Sequence, residues 1–186
     1  MKASNNPALT QQALTHHVRR HHVVIVVVWV ISTLIAASYF INARLVEFDP
    51  NGKLQQNRQG FVMSLLAQAQ LDPLAMDNTI IHFTSEGCVC NSYSQAHKQT
   101  LNQQAISNGY QVINLTMTAA LRELVPATPA ALVMSNEGKL VYFGPYSEGL
   151  ACSSSNSLIE LAINNFNKGF NPELIIDKAK GCYCQA

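Results

Sequence analysis

Charge is scarce in this chain. Its 186 residues hold 12 Lys and Arg against 11 Asp and Glu, and no basic stripe gathers them. That excludes the electrostatic footprint of a nucleic-acid-binding protein, so nucleic acid is not an expected partner. Asn and Gln are abundant instead, which predicts a polar, largely neutral surface. No cysteine precedes residue 88, and no Cys-x-x-Cys occurs anywhere. There is no sequence repeat either: the two Cys-x-Cys pairs have different flanks.

One long hydrophobic run is present. Residues 23–41, VVIVVVWVISTLIAASYFI, carry no charge and are long enough to cross a hydrocarbon core as a helix. Arg19 and Arg20 stand directly before the run; Arg44, Glu47 and Asp49 follow it. This positive flank favours the N-terminus inside and the rest of the chain outside. A cleaved signal peptide is the competing reading. Its charged region would be unusually long, its apolar region exceeds the usual ~7–15 residues, and no convincing small-x-small site stands before Arg44. The expectation is an uncleaved single-pass anchor in an inner membrane, with a cytoplasmic tail over 1–22, a linker over 42–56 and a periplasmic domain over 57–186. His16, His17, His21 and His22 in the tail read as a solvated juxtamembrane segment, with a metal-binding tract as the alternative.

The length suffices for one compact domain plus an appendage. Within it, Phe61, Val62, Leu65, Leu66 and Ala69 recur at helical spacing. Thr79–Thr84 reads as an apolar strand. A polar helix follows over about 91–107, ending at Asn108-Gly109. Residues 110–115 read as a second strand and 117–124 as a short helix. Thr128-Pro129 opens a third strand over 130–134. Asn136-Glu137-Gly138 turns the chain into a fourth over 139–143. Leu158, Ile159, Leu161, Ala162, Ile163 and Phe166 fit a final amphipathic helix. Alternating strands and helices predict an α/β domain: a central mixed sheet with helices on both faces, the first two strands parallel and the hairpin antiparallel.

The chemistry lies in the cysteines. Cys88-Val89-Cys90 follows the first strand and opens a helix. A helix N-terminus favours a thiolate, and the thiolate is the nucleophile of thiol chemistry. All five cysteines, Cys88, Cys90, Cys152, Cys182 and Cys184, follow the anchor and are expected in an oxidising compartment. Because five is odd, at least one is free, reactive, metal-bound or paired with another chain. A Cys88–Cys90 disulfide would close a small ring; disulfides away from preferred geometry are more easily reduced.

The order of elements resembles the thioredoxin fold over about residues 57 to 168. The resemblance rests on the apolar strand leading to a cysteine loop that opens a helix, on Thr128-Pro129 before the third strand, and on the closing hairpin and helix. It implies that Cys88 is the nucleophile, that Pro129 is cis and packs on the cysteine loop, and that Thr128 faces substrate. It also implies that His82 moves the proton for the second thiol; a core histidine satisfied by a backbone carbonyl is the alternative. Asn91 stands where the usual resolving cysteine would be, so Cys90 is one residue early. Cys152 is a candidate resolving thiol or a buried unpaired one. Cys182 and Cys184 either relay electrons as a second disulfide or staple the tail to Cys152 or to the first pair. Glu86 reads as a solvated loop residue. More closely, the chain resembles a group of uncharacterised membrane-anchored thioredoxin-like proteins of Gram-negative bacteria. This rests on His82-Phe83 leading to Cys88-Val89-Cys90-Asn91, on Thr128-Pro129-Ala130, on Tyr142-Phe143-Gly144-Pro145-Tyr146-Ser147, and on Gly181-Cys182-Tyr183-Cys184.

Three functions follow as expectations. The first is a membrane-tethered periplasmic thiol–disulfide oxidoreductase acting on protein thiols or disulfides. Its candidate catalytic residues are Cys88, Cys90, Cys152 and His82, its partner is another membrane or periplasmic redox protein, and it needs no cofactor. The second is a thiolate module for copper(I) or zinc, both of which suit sulfur ligands. Structural zinc prefers Cys-x₂₋₄-Cys, and the Cys-x-x-x-Cys with distant His of thioredoxin-like copper carriers is not evident. The third is a redox-inert interaction domain with structural disulfides.

Overall fold

A computed structural model describes residues 7–56, 58–149, 156–170 and 173–186. The chain divides into two compact units, Met1–Ala43 and Arg44–Ala186.

The described part of the first unit is the helix α1, Pro7–Arg44, whose last residue belongs to the second. It starts well before the apolar run, where a polar tail was expected. Residues 8–22 contain neither Gly nor Pro to break it, and proline suits a first helical position because its missing N–H has no partner there anyway. The stretch Arg20–Ala43 is 24 residues long and apolar enough to cross a membrane. At 1.5 Å per residue it spans about 36 Å, more than the ~30 Å of a hydrocarbon core. Val24, Ile25, Trp29, Leu34 and Phe40 are all exposed on it.

The second unit is a mixed α/β domain. Its elements run β1 Val46–Glu47, α2 Lys53–Gln56, α3 Phe61–Gln68, β2 Thr79–Thr84, α4 Cys90–Ser107, β3 Gln111–Thr116, α5 Ala119–Arg122, β4 Ala127–Thr128, β5 Ala130–Met134, β6 Leu140–Pro145, α6 Leu158–Asn167, β7 Leu174–Ile175, β8 Lys180–Gly181 and β9 Cys184–Gln185. The central sheet has five strands in the order β3-β2-β5-β6-β7. β2 and β3 are parallel, with Ile81 beside Ile113 and Phe83 beside Leu115. β5 runs antiparallel to both β2 and β6. β7 adds a fifth, parallel strand beside β6, a pair of residues too short to announce itself in the sequence.

Strand alternation divides the core between the two faces. Ile81, Phe83, Ala130, Leu132 and Phe143 pack with Phe61, Leu65, Leu66 and Leu121 from α3 and α5. Ile80, Ala131, Val133 and Tyr142 pack with Leu101 and Ala105 of α4 and Ile159 and Ala162 of α6. Residues 44–56 belong to this unit. Phe48 is fully buried beside Phe143 and Tyr183, and Asp49 accepts hydrogen bonds from the Lys53 and Leu54 amides at 2.9 and 2.8 Å, capping α2.

Residues 179–186 are folded against the domain. β8 pairs antiparallel with β1, setting Gly181 beside Val46. β9 pairs antiparallel with β4, setting Cys184 beside Thr128 and Gln185 beside Ala127.

Candidate functional site

β2 ends at Thr84, the end of the sheet where its parallel neighbour β3 also ends. The chain then turns through Ser85-Glu86-Gly87, with Gly87 at φ +71°, a conformation that glycine adopts without strain. The Cys88 N–H reaches back to the Ser85 carbonyl at 3.4 Å. The Asn91 side-chain amide donates to the same carbonyl at 2.7 Å. Two further backbone bonds, Asn91 N–H to the Cys88 carbonyl and Ser92 N–H to the Val89 carbonyl, lead into α4. Cys88 is half-buried, Val89 exposed and Cys90 buried.

The thiols of this loop meet the tail rather than each other. Cys88 is bonded to Cys184 with Cα atoms 5.9 Å apart, and Cys90 is bonded to Cys182 with Cα atoms 5.7 Å apart. Of the pairings considered from the sequence, the one found is the staple between the tail and the first pair. The chain bends at Cys182 between β8 and β9, and both Cys182 and Cys184 reach the cysteine loop while the intervening Tyr183 enters the core. Tyr183 is buried, lies edge-on to Phe48 at 5.4 Å between ring centres, and donates its hydroxyl to the Ser147 carbonyl at 2.8 Å. Gly181 makes room for that ring: a Cβ there would stand 2.6 Å from the Tyr183 hydroxyl.

Thr128 completes the site. Its bond to Pro129 is cis. It is fully buried, with Cys184 of β9 beside it in the ladder. Its hydroxyl donates to the Ser85 hydroxyl at 2.9 Å, and its carbonyl lies 3.8 Å from the Cys88 sulfur. Ser85, which tethers Thr128, Asn91 and Cys88 together, carries no motif that would single it out in the sequence. The sulfurs of Cys88, Cys90 and Cys184 all lie within 4.8 Å of one another, the donor set of a soft-metal site once the thiols are reduced. Cys152 lies outside the described residues.

His82 has other partners. Its Nε2 is 2.7 Å from the Asn102 Oδ1, and its Nδ1 bonds the Tyr146 hydroxyl. A carbonyl oxygen only accepts, so Nε2 carries the proton and donates to Asn102, and Nδ1 accepts from the Tyr146 hydroxyl. Burial, with the nearby Lys98 charge, lowers the His82 pKa to about 4, against the opposing Asn102 hydrogen bond. Burial likewise pushes the Tyr146 phenol far up. The imidazole is therefore neutral at pH 7, and both of its nitrogens are engaged within the core. Among the described residues no hydrogen bond joins it to a cysteine. His97 lies beside this network, its Nε2 3.3 Å from the Glu160 carboxylate.

A cleft of about 850 Å³ lies between α4 and α6 and is lined by Asn78, Gln104, Asn108, Asn164 and Asn167 among others. Among the described residues no cysteine lines it. Asn78 and Asn108 place it at the end of the sheet where β2 begins, opposite the thiols.

Residues 56–186 match DUF6436, a domain of unknown function. No curated protein and no solved structure matches the chain.

Proposed function

The chain belongs to the DUF6436 family, whose function is unknown, and from its own residues we propose that it is a membrane-tethered thiol–disulfide oxidoreductase with a thioredoxin-like domain. The observation that carries this reading is the cluster of sulfurs at the strand-to-helix junction. Cys88 and Cys90 sit at the N-terminus of α4 and are each bonded to a cysteine of the tail segment 182–184. Three of these sulfurs lie within 4.8 Å of one another. A thiolate released by opening one bond is therefore within reach of the other, which is the requirement for exchange through a mixed disulfide. The thioredoxin-like element order supports the reading, as do the cis bond before Pro129 and the placement of Thr128 beside Cys88. Arg19 and Arg20 support a cytoplasmic N-terminus and a periplasmic domain. Cys88 acts as the nucleophile, while Cys90, Cys182 and Cys184 exchange with it. His82, with both nitrogens engaged, has a structural part.

The test is a redox titration of the full chain in detergent against graded dithiol/disulfide buffers, with intact-mass counting of alkylated cysteines. The expected result is that the native protein gains alkylatable thiols in steps of two, and that Cys88→Ser abolishes exchange with an external dithiol. If the bonds open only after denaturation, the oxidoreductase reading fails and the tail is a structural staple.

A second reading has its own observation. Once reduced, Cys88, Cys90 and Cys184 present three converging thiolates, which suit copper(I) or zinc. Stoichiometric copper or zinc on the reduced chain, lost in Cys184→Ser, is the expected result of that reading.

A further inference from the structure

β4 belongs to a two-stranded sheet whose other strand is β9. Residues 184–186 line its edge. Gln185 and Cys184 pair with Ala127 and Thr128, and the Ala186 N–H donates to the Pro126 carbonyl at 2.9 Å. The sulfur of Cys184, opposite Thr128, is bonded to Cys88. In chemical terms this is a mixed disulfide between Cys88 and a cysteine in an extended strand, with both partners in one chain. A free strand edge is a template for a strand from another polypeptide.

Residues 184–186 are held differently from those before them. Ala179 and Tyr183 are buried in the core. The Ala179 carbonyl accepts from Phe48, the Lys180 carbonyl accepts from Gly149, and Cys182 donates to the Gly149 carbonyl. None of these contacts needs Cys88. Beyond Tyr183 the described contacts are the short β4 ladder, the Ala186 bond and its partly buried packing on the core, an exposed bond from the Gln185 amide to the Glu47 carbonyl, and the Cys88–Cys184 bond. Short, partly solvated ladders open easily once a covalent tie is removed.

We propose that the β4 edge and Cys88 form a docking cleft for a cysteine-bearing extended segment of another protein, and that residues 184–186 occupy this cleft until the Cys88–Cys184 bond is reduced. The proposal rests on the exchange reading above. A dithiol donor supplies two electrons and two protons to the Cys88–Cys184 bond and leaves as a disulfide, which gives two thiols. The strand then swings away about Tyr183, while Cys90–Cys182 keeps the preceding residues in place. The Cys88 thiolate attacks one sulfur of a disulfide in the incoming segment. A new bond to Cys88 forms, and the other sulfur departs as a thiolate that takes a proton from water. While the latch is closed, the tethered Cys184 has the advantage of a high effective concentration over any free competitor.

The test compares three forms of the full chain in detergent: wild type, Cys184→Ser, and a form ending at Tyr183. Two probes are used at equal concentration, the homodisulfide of an end-capped Tyr-Cys-Gln-Ala peptide and 2-hydroxyethyl disulfide. Adducts are mapped to Cys88 by mass. Oxidised wild type should react with neither probe. The two altered forms should react with the small disulfide at rates within about twofold of each other, because both free Cys88. With the peptide probe the shortened form should be at least tenfold faster, because Cys184→Ser still carries the strand that fills the cleft. Equal peptide rates in the two forms overturn the proposal and leave the exchange reading standing. If Cys88 reacts with neither probe in either form, the exchange reading itself falls, and the proposal with it. Hydrogen exchange on the wild type needs no variant: reduction should speed exchange of the Ala186 amide at least tenfold while the Phe48 and Gly149 amides keep their protection. Unchanged Ala186 protection also overturns the proposal.

Discussion

Thr128 and Cys184 face each other across the β4–β9 ladder, and the Cys184 sulfur is bonded to Cys88, whose own sulfur lies 3.8 Å from the Thr128 carbonyl. Three segments far apart in sequence thus close a triangle at one end of the central sheet. In the disulfide the Cys88 sulfur carries no proton, so its approach to the carbonyl is a packing contact. On reduction the Cys88 thiol becomes a weak donor facing the Thr128 carbonyl. Opening the bond therefore changes the local chemistry at Thr128 as well as at Cys88.

The two disulfides should be strongly non-additive in stability. They span 96 and 92 residues between the same two segments. In the chain-entropy picture, closing a loop of that size is worth about 4–5 kcal/mol. The second bond closes only a very small additional loop. Removing either pair alone, as Cys88→Ser/Cys184→Ser or Cys90→Ser/Cys182→Ser, should cost about 2 kcal/mol, and removing both about 7 kcal/mol. Denaturant midpoints of the three variants check this; costs that simply add would contradict the shared loop.

His82 should make stability depend on acid. Its pKa is about 6.5 unfolded and about 4 in the fold. Between those values the unfolded chain holds a proton that the native chain does not. The contribution is therefore fully present above pH 6.5 and drains as pH falls toward 4, by roughly 1.4 kcal/mol per pH unit, with no further loss below. An NMR titration should find the imidazole neutral at pH 5.5. His82→Gln should flatten this part of the stability profile, and an unchanged slope would assign it to other groups.

The readable part of the fold was the part with local signals. Ile80, Ile81 and Phe83 form an apolar run interrupted only by His82, as expected of a strand covered on both faces, and both faces are covered. Asn108-Gly109 stops α4, and Asn136-Glu137-Gly138 turns β5 into β6. Cys88 was legible as a site because it follows such a strand. Its bond to Cys184 was not, because spacing leaves every pairing open. The partners of His82 were equally hidden: Tyr146 is 64 residues away and is brought in only by the packing of β6. β1, β8 and β9 have two residues each, too few for a period, and form only because distant partners are already in place.

Asp49 should matter more than its place in an expected linker suggests. It is 8% exposed, and its two carboxylate oxygens accept from the Lys53 and Leu54 amides. Asp49→Ala leaves both amides without that acceptor and should cost about 1–2 kcal/mol, within the range for a lost helix cap. Asp49→Asn retains one acceptor oxygen and should cost less. Denaturant unfolding of both variants checks the order.

Gly181→Ala tests whether the seating of Tyr183 positions the tail cysteines. The added methyl would stand 2.6 Å from both the ring carbon Cζ and the hydroxyl of Tyr183. The ring is held by Phe48 and by the Ser147 carbonyl, so relief requires either its expulsion or a shift of the tail backbone. Overpacking of this kind costs about 1–3 kcal/mol. Tyr183→Phe keeps the ring and loses one hydrogen bond, worth about 1 kcal/mol. If the ring aligns Cys182 and Cys184 with their partners, Gly181→Ala should lower the fraction of chains carrying both disulfides after air oxidation, and Tyr183→Phe should leave it near wild type. Full disulfide formation in Gly181→Ala would mean that the β4 and β1 ladders alone bring the sulfurs together.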